Sequence, residues 1–370
     1  MTDALADKVE RRRAGIFGLP EVARRARATA TAQRFLAVFL LVVAMFVYFS
    51  VTEDRFFTSG NIDALLTSAS ILWVVSIGLT FVMITGGFDL SLGSLVALTG
   101  IALGAFVNDL RLPIGVAVVL ILLFGLALGA GVNGFLIGRV GLSFLVVTLG
   151  TLTLFQGLTN LWSGTKTQQV LSSFLDSLAF DKLLGIPIPV WIMVGVFLIA
   201  LYVQRSTYFG RDMYAVGGSA DAARLSGIKV SRTIIVVYGI AGLLAALGGV
   251  LQVARIGAAS PVVGQTIIFN AAAAVLLGGT SFAGGIGGVG GTAVGVLFLA
   301  TLQNGLSVSG VQDFWQQIIT GAILIVAVTL DRIQREGWGS LGFGTRPGRS
   351  AAGGAAAEPK PPDPSGGARS

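Results

Sequence analysis

Residues 35–49 read Phe35-Leu-Ala-Val-Phe-Leu-Leu-Val-Val-Ala-Met-Phe-Val-Tyr-Phe49, with no charged side chain. Just before them lie Lys8, Arg11, Arg12, Arg13, Arg24, Arg25, Arg27 and Arg34. Basic residues leading into an apolar run are the pattern of a first membrane span held on the cytoplasmic side. The basic stretch alone would also suit nucleic acid, but its continuation into a span argues against that, and no nucleic-acid partner is expected. The basic region is too long for a cleaved signal peptide, and no small-residue cleavage site follows the apolar run.

The same pattern continues along the chain. Of 370 residues, 54% are hydrophobic and 12% charged, against about 25% charged in a soluble protein. Mean hydropathy is +0.84. A soluble globule needs a more polar exterior than this. Segments near 34–50, 62–84, 89–107, 113–136, 142–162, 188–204, 232–252, 265–281, 287–306 and 314–330 are candidate spans. The third, eighth and ninth are rich in Gly and small polar residues, as a re-entrant or broken helix would be. The sequence therefore predicts an all-α polytopic membrane protein with about ten transmembrane helices, some short or broken. Three regions are expected: a basic cytoplasmic segment (1–33), a transmembrane domain (34–333) and a Gly/Ala/Pro-rich cytoplasmic tail (334–370) that cannot bury a core and should be disordered.

Loop charge supports an even number of spans with both termini cytoplasmic. All but five of the 25 Lys and Arg fall on one side, leaving Arg55, Arg111, Lys166, Lys182 and Arg255 on the other. The internal loop 205–232 alone carries Arg205, Arg211, Arg224, Lys229 and Arg232. This is the positive-inside asymmetry, and it predicts a multi-pass membrane protein in contact with lipid.

Composition also limits the chemistry. There is no Cys and no His, which removes thiolate chemistry, the usual general base and the commonest metal ligand. No catalytic residue, bound cofactor or metal site is expected. Between Asp63 and Asp109 the one ionisable residue is Asp89, and from Ile256 to Val311 there is none. An ion-coupled carrier usually places acids within the membrane, so a stand-alone secondary carrier for a small polar solute is the weaker reading. None of the five lysines completes a phosphate loop, so if the protein does work, a partner must supply the energy. The string Gly285-Ile-Gly287-Gly-Val-Gly290 lies in an apolar region and follows no strand. Glycines four apart (Gly284/Gly288, Gly287/Gly291, Gly291/Gly295) suggest close helix packing there rather than dinucleotide binding.

Three constellations carry functional expectations. In the 205–232 loop, Ser219 is a good N-cap and Gly227 a good stop, so Ala220, Asp221, Ala222, Ala223, Arg224, Leu225 and Ser226 should form about two helical turns. Such a helix is either an ordinary interfacial one or a knob for a groove on another protein. In Thr85-Gly-Gly-Phe-Asp-Leu-Ser-Leu-Gly-Ser94, two glycines break a helix and Asp89 can cap the next, with Ser91 and Ser94 bonding locally. That break is either a tight turn or a discontinuous helix able to bind a polar solute. In 270–285, Asn270, Thr280 and Ser281 flank another glycine pair, which hints at an inverted duplication. Gln303 and Asn304 follow on the next span, either joining helices or lining a polar path. Asp89, Ser91, Asn270, Thr280, Ser281, Gln303 and Asn304 are thus the candidate path residues.

These motifs, with Thr148-Leu-Gly-Thr151, Gly210-Arg-Asp-Met-Tyr-Ala-Val-Gly-Gly218, Ala222-Ala-Arg-Leu-Ser-Gly-Ile228, Leu277-Gly-Gly-Thr-Ser281 and Phe314-Trp-Gln-Gln317, resemble one family over roughly residues 35–335. It is the permease subunit of bacterial ATP-binding-cassette importers for monosaccharides of the ribose, xylose and galactose type. The resemblance implies a homodimeric or paired permease. It also implies a cytoplasmic ATPase, often with two nucleotide-binding domains in one chain, that binds ATP and Mg, and an extracytoplasmic sugar-binding protein. It further implies that residues 220–227 dock on the ATPase. The chain departs from the family at Ile268-Phe-Asn270, where many members carry Glu-Leu-Asp.

Overall fold

The structure is a computed structural model that describes residues 36–336, with side chains to residue 333. The basic segment 1–33 and the tail from 337 onward lie outside the described residues. The first half holds α1 (Leu36–Thr52), α2 (Ser59–Ile84), α3 (Leu92–Asn108), α4 (Ile114–Val140) and α5 (Phe144–Ser163). A connection follows that contains β1 (Gln168–Gln169), α6 (Ser173–Phe180), β2 (Lys182–Leu183) and β3 (Ile186–Pro187). The second half holds α7 (Ile188–Ser206), α8 (Tyr208–Gly218), α9 (Ala220–Leu225), α10 (Val230–Ile256), β4 (Ala258–Ala259), α11 (Gly264–Leu277), α12 (Val289–Val308) and α13 (Asp313–Glu336).

Helices α2, α4, α5, α7, α10, α12 and α13 are long and apolar enough to cross a membrane, and α1, α3 and α11 are shorter apolar helices. Each of the ten segments read from the sequence overlies one of these. The protein is an all-α polytopic membrane protein. With 14 residues, α11 rises only about 21 Å, short of the roughly 30 Å of a bilayer core. The eighth segment is therefore too short to span as one helix, and the third, with 17 residues, rises about 26 Å and falls short as well. The ninth is a continuous helix of 20 residues.

Burial divides the helices into a centre and a shell. The most apolar window of α2 is 89% buried, and those of α10 and α12 are 67% and 61% buried, against 11% for α7 and for α13. The core joins α2 to α3, α10, α11 and α12 through Ile77, Leu79, Phe81, Leu95, Val275 and Leu299. Apolar side chains left exposed on α4, α5, α7 and α13, such as Val119, Leu154, Ile199 and Ile325, suit a lipid surround.

Small residues let the backbones approach. Gly125 and Gly129 of α4 lie against Gly242 of α10, and no side chain fits between them. The end of α4 widens into π turns over Gly129–Gly134 and Leu136–Val140. One antiparallel pair joins β1 to β4, and a hairpin joins β2 to β3.

The 285–290 string differs from its expected form. Residues 278–288 are not helical, and Gly279, Gly284, Gly285 and Gly287 have φ between 70 and 123°, which only glycine adopts at little cost. The expected close packing holds for Gly291 and Gly295 within α12, which meet the carbonyls of Gly278 and Ala274. The two glycine-paired breaks also lie together: Gly285 N–H donates to the Ile84 carbonyl at 2.8 Å. Equivalents of an inverted repeat would sit on opposite faces, so these two motifs are neighbours and not such a pair.

Candidate functional site

One end of the bundle carries Arg139, Arg205, Arg211, Arg224, Lys229 and Arg232, and we call it the basic end. Here α9 forms as its sequence predicts. Ser219 Oγ accepts from Ala222 N–H at 3.3 Å, and Gly227 ends the turn with φ 84°. Ala223 is buried and packs with Val216 and Val230. That anchors the helix and turns its other positions outward. Ala220, Asp221, Ala222, Arg224, Leu225, Ser226 and Gly227 are all exposed. Leu225 is 90% exposed, an apolar side chain with nothing to cover it. Arg224 pairs with Asp221 at 3.3 Å one turn away.

At the opposite end a cavity of about 480 Å³ opens between α2, α10, α11, α12 and α13. Asn270 and Gln303 line it, with no side-chain hydrogen bond found among the described residues. Asn304 also lines it but is committed to a partner. It exchanges two 2.9 Å hydrogen bonds with Asn61 of α2, so here an amide both joins helices and faces the cavity. Gln252, Arg255, Thr266, Ser307 and Gln316 complete the polar wall. Sequence reading missed most of these. A lone amide in an apolar helix, as at Asn61 or Gln252, was the available signal. Residues that meet here are far apart in the chain, Asn61 and Asn304 by 243 positions.

The other path candidates lie elsewhere. Thr280 and Ser281 are buried at the basic end of α11. Thr280 Oγ1 accepts from Gly288 N–H, and Ser281 Oγ donates to Asp331 at 3.2 Å. Neither reaches the cavity. Asp331, just past the tenth span as read from sequence, is itself buried within α13 and also receives Phe282 N–H.

Asp89 is 1% exposed and lines no cavity among those described. Its Oδ1 accepts from Ser91 N–H at 2.9 Å and Ser91 Oγ–H at 2.6 Å, and its Oδ2 accepts from Asn133 at 3.2 Å. It braces the turn into α3 and does not cap the helix's first amides, since Ser91 stands at the N-cap. Asn133 reaches it from the π-helical part of α4, where a wider turn re-aims a side chain. Among the described residues no three His, Cys, Asp or Glu side chains gather at metal-binding spacing.

The family model for the branched-chain amino acid transport system permease component matches residues 61–328. The chain belongs to this permease family. The match spans the cavity, the Asp89 turn and α9. Among other members, the ribose import permease protein of Escherichia coli (strain K12) is 38% identical over 305 residues, covering 81% of this chain and 93% of the relative. The ribose import permease protein of Bacillus subtilis (strain 168) is 38% identical over 303 residues, covering 80% and 91%. The D-allose transport system permease protein of E. coli is 34% identical over 295 residues, covering 80% and 90%. No solved structure matches the chain. As a permease of this family, the chain is a multi-pass bacterial membrane protein, and the importer-permease resemblance of its motifs holds across most of its length.

The Asp89 geometry gives a first test within this permease. Replacing Asp89 by Ala strips Ser91 N–H and Oγ–H of their acceptor in a dry site, at a cost of about 1–3 kcal/mol. Asp89→Asn keeps one oxygen for Ser91, and Asn133 Oδ1, without a partner among the described residues, can accept the new amide. Thermal unfolding should place Asp89→Asn nearer wild type than Asp89→Ala. Equal and complete loss of transport in both, with normal unfolding, would assign the role to the negative charge.

Proposed function

We propose that this chain is the membrane-spanning permease subunit of an ATP-driven importer that carries a monosaccharide, a pentose or hexose, by alternating access. The carrying observation is the cavity of about 480 Å³ lined by amides and hydroxyls, with Asn270 and Gln303 making no side-chain hydrogen bond among the described residues, a volume within the ~300–1,000 Å³ usual for small-molecule sites. A neutral polyol needs donors and acceptors without strong fixed charge, and each contributes only about 1 kcal/mol net. That suits a path that must release what it binds. The family description mentions amino acids, whose ammonium group calls for an acid. Among its described lining residues the cavity has none, and Arg255 is its one charged residue. Relatives named for ribose and D-allose point the same way.

In this reading the basic end faces the cytoplasm and the cavity faces outward, with both termini inside. The exposed face of α9 docks on a cytoplasmic ATPase, often two nucleotide-binding domains in one chain, which binds ATP and Mg. A second permease subunit pairs with this one. An extracytoplasmic binding protein delivers sugar to the cavity. ATP binding in the partner favours one of the two access states.

Because the chain has no cysteine, Asn270→Cys and Gln303→Cys each introduce a single thiol. Both should react with a small water-soluble maleimide from outside, and the rate should change when the ATPase is trapped with nucleotide. Thiols unreactive at both positions in every state would make this wall packing and remove the proposed path.

A further inference from the structure

At the basic end, the neighbouring helices α7 and α8 meet the sequence-distant 287–289 segment through two side chains. Gln204, near the end of α7, accepts Val289 N–H on Oε1 at 2.9 Å, at the first turn of α12. Its Nε2 donates to Tyr214 Oη at 2.6 Å. Tyr214, on α8, donates its own hydroxyl proton to the Gly287 carbonyl at 2.6 Å. Val289 N–H can only donate, so the orientation of the Gln204 amide is set by the network. A tyrosine hydroxyl is protonated at neutral pH, and burial pushes that of Tyr214 further up, so it donates.

The surroundings make this junction able to move. Residues 278–288 contain six glycines, four of them at positive φ, and the segment is held at a few points, by Ser281 and Phe282 on Asp331 and by Gly285 on Ile84. A cavity of about 380 Å³ lies beside them, bounded by Leu201, Gln204, Tyr214, Gly279, Gly287 and Gly290. On its other side α8 brings Gly217 against the Ile84 carbonyl and Gly285, so the same short helix touches both glycine breaks. It runs into α9 through one residue, Ser219, which ends α8 and caps α9.

We propose that Gln204 and Tyr214 are a hydrogen-bonded relay that makes the 278–288 loop and the start of α12 move with the α8–α9 unit. They are positioning residues for the cytoplasmic gate, and the proposal rests on the importer reading above. Without them α9 can still dock, but its displacement reaches the gate weakly. The glycine loop supplies the freedom to move, and the relay supplies the direction.

The test uses the full chain assembled with its ATPase. Gly290→Cys reports on the cavity, since an added side chain there meets no atom within 4 Å. With the relay intact, nucleotide trapping of the ATPase should change its maleimide labelling rate. In Tyr214→Phe, which keeps the ring, and in Gln204→Ala, that change should fall about tenfold, the factor expected for lost buried hydrogen bonds. Sugar moved per ATP hydrolysed should fall with it. The pair should be non-additive, as members of one network are. Tyr202→Phe, an exposed tyrosine on α7 outside the relay, is the control. A purely structural brace would lower the unfolding temperature of the relay variants and leave the nucleotide response in place, which would overturn the proposal. If wild type imports with ATP and both variants keep its labelling response and sugar-to-ATP ratio, the relay falls and the importer reading stands. If wild type shows no ATP-dependent import, the importer reading falls and the relay with it.

Discussion

Leu225→Asp and Arg224→Glu should each abolish substrate-stimulated ATP hydrolysis in the assembled complex while leaving the permease itself folded. Leu225 is 90% exposed and Arg224 pairs only at the surface, so neither change disturbs packing in the isolated chain. The helix is held by Ala223 on Val216 and Val230 and by the Ser219 cap, and both are untouched. What the substitutions alter is the face offered to a partner. A charge left unpaired on a packed interface costs roughly 3–5 kcal/mol, enough to remove most productive docking. Stimulated hydrolysis measured on purified complexes checks this. Variants that assemble and couple as wild type would show that α9 is not the docking element.

Gly295→Leu should be among the most damaging single changes inside the membrane. Even a methyl at Gly295 would overlap the Ala274 carbonyl of α11. The backbones must therefore separate, and overpacking of this kind costs about 1–3 kcal/mol or more. On its other sides α11 already packs against α2 and α3, with Ala271, Ala273 and Val275 buried, so it has no free space into which to shift. Gly290→Ala, one turn earlier with no atom near, should be neutral or slightly stabilising by about 0.5–1 kcal/mol. Thermal unfolding of the two variants in nanodiscs separates them. Equal stability would mean that α11 and α12 do not pack as described.

The positions of the helices were legible in the sequence because bilayer crossing imposes length and composition locally. The ten apolar segments and the Ser219–Gly227 helix depend on residues within a few turns of one another. The expectation that 285–290 packs as helix failed for a local reason as well. Gly279, Gly284, Gly285 and Gly287 take positive φ, and the identity of a glycine does not say whether its freedom is used. What could not be read was pairing across the bundle. Asn133 finds Asp89 across 44 residues, and Asn304 finds Asn61 across 243. Asn270, Thr280 and Ser281 looked like one constellation because they are close in sequence. The rise along α11 puts Asn270 at the cavity and carries Thr280 and Ser281 to the basic end. Helical geometry separates what sequence proximity joined.

The most direct measurement is sugar uptake into proteoliposomes that contain this chain, its ATPase and its binding protein. Labelled ribose, xylose and allose would be tested with and without ATP. At least one sugar should accumulate only with ATP and with all three proteins present, and Leu225→Asp should stop it. Uptake by this chain alone, or uptake unaffected by ATP, would contradict an ATP-driven import permease and return the chain to the class of stand-alone carriers.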